Sequence, residues 1–160
     1  MRISRIPVAR GPAMSSKWSV LIVDDEFGVR ESLKIILKAY YEIYTAADGE
    51  EALSIIRERK IHLITLDLNM PKLSGIETLR EIRKINPEVP VIIITGYGTE
   101  RDQKEALLHG AKAFISKPFN ISTIISAIDG VLEEGIEQEK GEPKRETPWR
   151  SCEGERGESK

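Results

Sequence analysis

Hydrophobic positions along the chain alternate between two spacings. Short apolar runs of strand length, Trp18–Val23, Tyr41–Ala46, Ile61–Leu66, Val89–Ile94 and Ala111–Ser116, predict five strands. Each is followed by a stretch in which apolar residues recur every three or four positions. These are Val29, Leu33, Ile36 and Leu37; Ala52, Leu53 and Ile56; Ile76, Leu79 and Ile82; the more polar 100–109; and Ile121, Ile124, Ile125, Ile128 and Leu132. Turn and cap residues punctuate the alternation. Asp48 with Glu51 and Ser74 with Glu77 form capping-box patterns, Asn86-Pro87 closes the third helix, and Gly110 suits the end of the fourth. Five strand-helix units joined by right-handed crossovers predict an α/β fold, a parallel sheet between two layers of helices.

Outside these units the pattern fades. Residues 1–16 lack periodicity and contain Pro7, Gly11 and Pro12, which predicts a flexible lead-in, with Met14 as an alternative start. One folded unit is expected over 17–134, with His62 as a residue of the third strand and His109 beside a helix end. Over 135–160 Glu, Lys, Arg, Gly and Pro dominate, and so few apolar residues cannot offset the entropy of ordering; a disordered charged tail with no effector domain is expected.

Composition narrows the function classes. At 160 residues, 40% hydrophobic and 31% charged, the chain suits a single globular domain. Its formal charge of -2 gives no basis for nucleic-acid binding. No stretch approaches the roughly 20 apolar residues of a membrane helix, so no membrane insertion is expected. The single cysteine, Cys152, has no internal partner, and no apolar leader follows the N-terminal arginines. The expected location is cytoplasmic.

Chemistry gathers where the strands end. The first strand runs into Asp24, Asp25 and Glu26; the third stops at Asp67, with Pro71 unable to continue a central strand; the fourth ends at Thr95-Gly96 and the fifth at Lys117-Pro118. In an open α/β sheet the carboxyl ends of the strands face the ligand crevice. Carboxylates brought together there repel one another unless a cation intervenes. A hard divalent ion with oxygen ligands fits, Mg²⁺ first, with Thr95 and Lys117 able to hold a phosphate oxygen. Each residue also has a plainer reading: Asp24 and Asp25 as a solvated turn, Asp67 as a helix cap, Thr95 as a strand terminus, Lys117 as a surface lysine and Phe114 as core.

In order and approximate spacing, Asp24-Asp25, Asp67 with Asn69-Met70-Pro71, Thr95-Gly96 and Lys117-Pro118-Phe119 resemble the receiver domain of two-component response regulators. The resemblance covers about Lys17 to Glu134. It implies a flavodoxin-like doubly wound (βα)5 fold with strand order 2-1-3-4-5. It further implies that Asp67 accepts a phosphoryl group from a sensor histidine kinase or a histidine phosphotransfer protein. Mg²⁺, or Mn²⁺ in its place, would be held by Asp25, Asp67 and the backbone carbonyl of Asn69, with Asp24 acting through water. Lys117 would offset phosphoryl charge, and Thr95 and Phe114 would form a switch that repacks the face of the fourth helix, fifth strand and fifth helix. Such a chain modifies itself and is not an enzyme acting on others. Its partners would be the phosphodonor, an unidentified downstream protein and a second copy of itself in a phosphorylation-dependent homodimer. Lys117-Pro118 is expected to be cis, and Tyr97 to hinder the water that removes the phosphoryl group.

Three alternatives are weighed. A degenerate receiver acting as a docking module would not need the acids and Lys117 intact. An aspartyl-phosphate phosphatase would need an acid/base carboxylate where Asn69 stands. A dinucleotide-binding protein would need a glycine-rich turn in place of the acids after the first strand.

Overall fold

A computed structural model describes residues 18–96 and 98–139. The expected lead-in over 1–16, the tail from 140 onward with Cys152, and the expectation for Tyr97 lie outside the described residues. The elements are β1 Ser19–Val23, α1 Phe27–Leu37, β2 Glu42–Ala46, α2 Gly49–Glu58, β3 Leu63–Leu66, α3 Gly75–Ile85, β4 Val91–Thr95, α4 Glu100–Leu108, β5 Ala113–Ser116 and α5 Ile121–Glu139. The five strands form one parallel sheet in the order β2-β1-β3-β4-β5.

Successive residues of a strand face opposite sides of a sheet, so each central strand supplies two cores. Leu21, Val23, Ile64, Leu66 and Ile93 pack with Ala52, Leu53 and Ile56 of α2, Leu79 and Ile82 of α3 and Ala106 of α4. On the other face Val20, Ile22, Leu63, Ile92 and Ile94 meet Leu33 and Leu37 of α1 and Ile124, Ile128, Val131 and Leu132 of α5. β1, β3 and β4 are buried along their whole length, whereas the edge strands β2 and β5 are partly exposed. Continuous apolar runs therefore mark the strands covered on both sides.

Local chemistry sets the helix ends. The Ser74–Glu77 capping box at α3 is complete. At α2 the Asp48 carboxylate accepts from the Glu51 N–H, but Glu51 reaches back to the N–H of Ala47, one residue further than the expected partner. Thr99 and Asp102 form a further box at α4. Gly110 follows α4 at φ +88°, a left-handed conformation that suits glycine. The Arg83 guanidinium of α3 donates to the carbonyls of Val89 (2.7 Å), His109 (2.8 Å), Gly110 (3.3 Å) and Asn86 (3.4 Å), clipping the carboxyl end of α4 to the segment ahead of β4.

Two expectations shift. His62 precedes β3, where its Nδ1 accepts the Ser19 N–H at 2.9 Å and its ring meets Trp18 edge to face at 5.0 Å. α5 runs to Glu139, five residues beyond the expected domain edge at Glu134. Adding a turn to an existing helix avoids the cost of nucleation, and Glu and Gln there are good helix formers, so a polar segment can stay helical without a core of its own.

Candidate functional site

Backbone hydrogen bonds continue past the strand ends and fix the site residues. The pairs Val23–Leu66 and Thr95–Ser116 are in register, so Asp24 follows beside Asp67, and Lys117 beside the end of β4. Asp24 N–H donates to the Ala46 carbonyl (3.1 Å), Asp67 N–H to Val23 (3.0 Å) and Lys117 N–H to Thr95 (2.9 Å). The Lys117-Pro118 bond is cis. α3 also abuts the site: a Cβ on Gly75 would lie 2.3 Å from Leu68 Cα and 2.5 Å from the Asp67 carbonyl oxygen, so only glycine allows this approach.

Side chains then converge from three strand ends. Lys117 Nζ donates to Asp24 Oδ2 at 2.9 Å, Glu26 Oε1 at 2.9 Å and Asp67 Oδ2 at 3.3 Å. Further donors come from the backbone: Glu26 N–H on Asp24 Oδ1 at 2.9 Å and Asn69 N–H on Asp67 Oδ1 at 3.1 Å. Asp24 and Asp67 are buried, while Glu26 stands at the rim. Burial raises the Asp24 pKa, with the Asp67 charge adding to it, and the bonds from Lys117 and Glu26 N–H only partly oppose the rise. For Lys117, burial acts downward, but the bonds to Asp24 and Glu26 and the charges of Asp24 and Asp67 outweigh it, so its ammonium is held above the ordinary lysine range.

A cleft of about 680 Å³ opens over these groups, lined by Asp25, Glu26, Asp67, Asn69 and Lys117 with Val29, Gly96, Pro118 and Phe119. Ligand oxygens of Asp24, Glu26 and Asp67 lie within 4.8 Å of one another. One ammonium among three carboxylates leaves two negative charges uncompensated. Thr95 Oγ1, on a residue 1% exposed, is buried without a hydrogen-bond partner among the described residues. An all-oxygen donor set, excess negative charge and an orphaned buried hydroxyl fit a hard divalent cation together with an incoming polar group.

The expected residues do not all occupy one shell. Asp24, Asp67 and Lys117 meet directly; Thr95 ends the adjacent strand β4, its carbonyl accepting the Lys117 N–H, and is not among the cleft-lining residues. Asp25, expected beside the metal, is exposed on the cleft wall, and Glu26, named in the acidic run after β1 but given no role there, is the third carboxylate of the cluster with Asp24 and Asp67. Asp24 Oδ1 accepts from the Glu26 N–H in a tight turn, and from the rim the Glu26 carboxylate reaches Lys117. Asn69 lines the cleft. Phe114 is partly buried under the β4–α4 connection: a Cβ on Gly98 would meet its Cζ at 2.4 Å and Thr95 Cγ2 at 3.1 Å.

Comparison with known proteins agrees with this geometry. Residues 20–129 match the response regulator receiver domain family. The chain belongs to that family. As a receiver it is 41% identical over 114 residues to the chemotaxis protein CheY of Thermotoga maritima, a match covering 70% of this chain and 95% of CheY. It is 38% identical over 118 residues to the probable transcriptional regulator ycf27 of Cyanophora paradoxa, covering 73% of this chain and 49% of that protein. The receiver thus spans nearly all of the first relative and about half of the second. Among solved structures, a CheY-like receiver domain protein from Methanospirillum hungatei aligns with TM-score 0.75 and 32% identity over 77% of this chain and 99% of its own. Receivers are signalling proteins of two-component systems, and phosphorylation and magnesium binding are properties of the family. No helix among the described residues is long and apolar enough to cross a membrane.

Proposed function

We propose that the chain is a phosphorylation switch in which Asp67 takes a phosphoryl group from the phosphohistidine of a sensor kinase or phosphotransfer protein. The observation that carries this reading is the Lys117 ammonium bonded to both Asp24 and Asp67 across strand ends in an open cleft. An Asp67 oxygen attacks phosphorus, the P–O bond forms as the P–N bond breaks, and the electron pair leaves on the imidazole nitrogen, which takes up a proton. Lys117 offsets charge on the phosphoryl oxygens. Asp25, Asp67 and Asn69 line the cleft and Asp24 does not, which favours the first three, Asn69 through its carbonyl, for direct contact with Mg²⁺ or Mn²⁺. When bound, the ion supplies positive charge against the phosphoryl group.

Thr95 Oγ1, without a partner among the described residues, gains one in the phosphoryl oxygens. Its movement frees space for Phe114 and repacks the α4-β5-α5 face, which changes affinity for a downstream protein or a second copy of the chain. A cytoplasmic location goes with this reading. The test is labelling by acetyl phosphate with and without Mg²⁺. Wild type should take up label that hydroxylamine removes, and Asp67→Ala should take up none. Label that persists in Asp67→Ala, or that resists hydroxylamine, overturns the assignment.

A further inference from the structure

A lysine ammonium has three N–H donors, and all three of Lys117's are occupied in the resting site, by Asp24, Glu26 and Asp67. The three acceptors differ in how firmly they are held. Asp24 and Asp67 side chains are 4% and 5% exposed, and each also accepts a backbone N–H. The Glu26 side chain is 60% exposed, its carboxylate accepts from Lys117 alone among the described residues, and it lines the cleft above Asp67.

We propose that Glu26 is a displaceable counter-ion, a positioning residue that occupies the third donor of Lys117 at rest and swings out when a phosphoryl group arrives. The proposal rests on the reading of Asp67 as acceptor and adds a step to it. Phosphorylation exchanges the Asp67 charge for roughly two on the phosphoryl oxygens, adding about one negative charge to a cluster whose carboxylates already lie within 4.8 Å of one another. One carboxylate must give way. Asp24 and Asp67 are enclosed, while Glu26 can turn into water and regain full hydration. Until it does, it repels anions from the cleft and leaves Lys117 no free donor, so weakly held anions are rejected and a well-oriented donor is favoured.

The test uses beryllofluoride as a phosphoryl-shaped probe, titrated calorimetrically at saturating Mg²⁺ into wild type, Glu26→Gln, Glu26→Ala and Asp67→Asn, with Mg²⁺ titrated alone in parallel. Glu26→Ala should bind beryllofluoride about two- to fivefold more tightly than wild type, the size of one exposed ion pair, with Glu26→Gln between them. A purely structural role would not tighten binding. Unchanged or weaker beryllofluoride binding in Glu26→Ala, while wild type binds through Asp67, overturns the counter-ion role alone. Loss of Mg²⁺ affinity in Glu26→Ala would make Glu26 a metal ligand and overturns it too. Beryllofluoride binding that survives Asp67→Asn overturns the acceptor reading, and the counter-ion role with it.

Discussion

Replacing Lys117 by Met keeps the stem of the side chain and removes the one ammonium of the site. At an effective dielectric near 20, unit charges about 3 Å apart attract by about 5 kcal/mol, and carboxylates within 4.8 Å of one another repel by at least about 3 kcal/mol. Desolvation of the buried ions offsets much of the attraction, so the measured loss should match that for removing one partner of a buried pair, about 3–5 kcal/mol. Glu26 adds little because its side chain is 60% exposed. For a domain of this size that lowers the unfolding midpoint by roughly 10–20 °C. The assay is urea and thermal unfolding by circular dichroism in EDTA and then in Mg²⁺. A ligand at a hundred times its dissociation constant returns about 2.7 kcal/mol, so Mg²⁺ should restore a large part of the loss. The ammonium's proton is held more tightly in the fold than in the unfolded chain. Its stabilisation is therefore complete below the ordinary lysine value of 10.5 and lost as pH rises beyond it, and Lys117→Met should lack that alkaline loss. A loss below about 1 kcal/mol in EDTA would refute the view that Lys117 neutralises buried carboxylates.

Two further substitutions probe the frame of the site. Gly75→Ala in an open helix would stabilise, but here the new methyl group meets Leu68 Cα and the Asp67 carbonyl; it should cost about 1–3 kcal/mol in urea unfolding and weaken Mg²⁺ binding measured by titration. Arg83→Ala strips the donor from the carbonyls of Asn86, Val89, His109 and Gly110 and should cost about 2–3 kcal/mol, with amide exchange rising most at the carboxyl end of α4.

The fold was legible because the central strands read as largely apolar runs and every helix but the polar α4 as a stripe, and these patterns are set by burial on both faces of the sheet. Asp67, Thr95 and Lys117 were legible because each ends such a run, so strand length alone brings them to the same edge. The role of Glu26 was not, since which of the exposed acids 25 and 26 reaches Lys117 depends on side-chain geometry that leaves no trace in hydropathy. A third acidic residue after β1 was the available signal. Arg83 was equally hidden: its partners are all backbone carbonyls, so no residue type at the other end announces the contact. The last turn of α5 escaped because helix extension needs no apolar residues, and a polar composition was read as disorder.

The Trp18–His62 contact at the amino end of β1 has a practical consequence for spectroscopy. A strand of five residues separates that indole from Asp24, about 20 Å along the chain. Trp18 packs on the α1/α5 layer, so its emission reports melting of that layer and stays silent to events in the cleft. With Trp149, the second tryptophan, replaced by Phe, fluorescence can therefore track unfolding while calorimetry tracks ligand uptake, each signal with its own origin in the molecule.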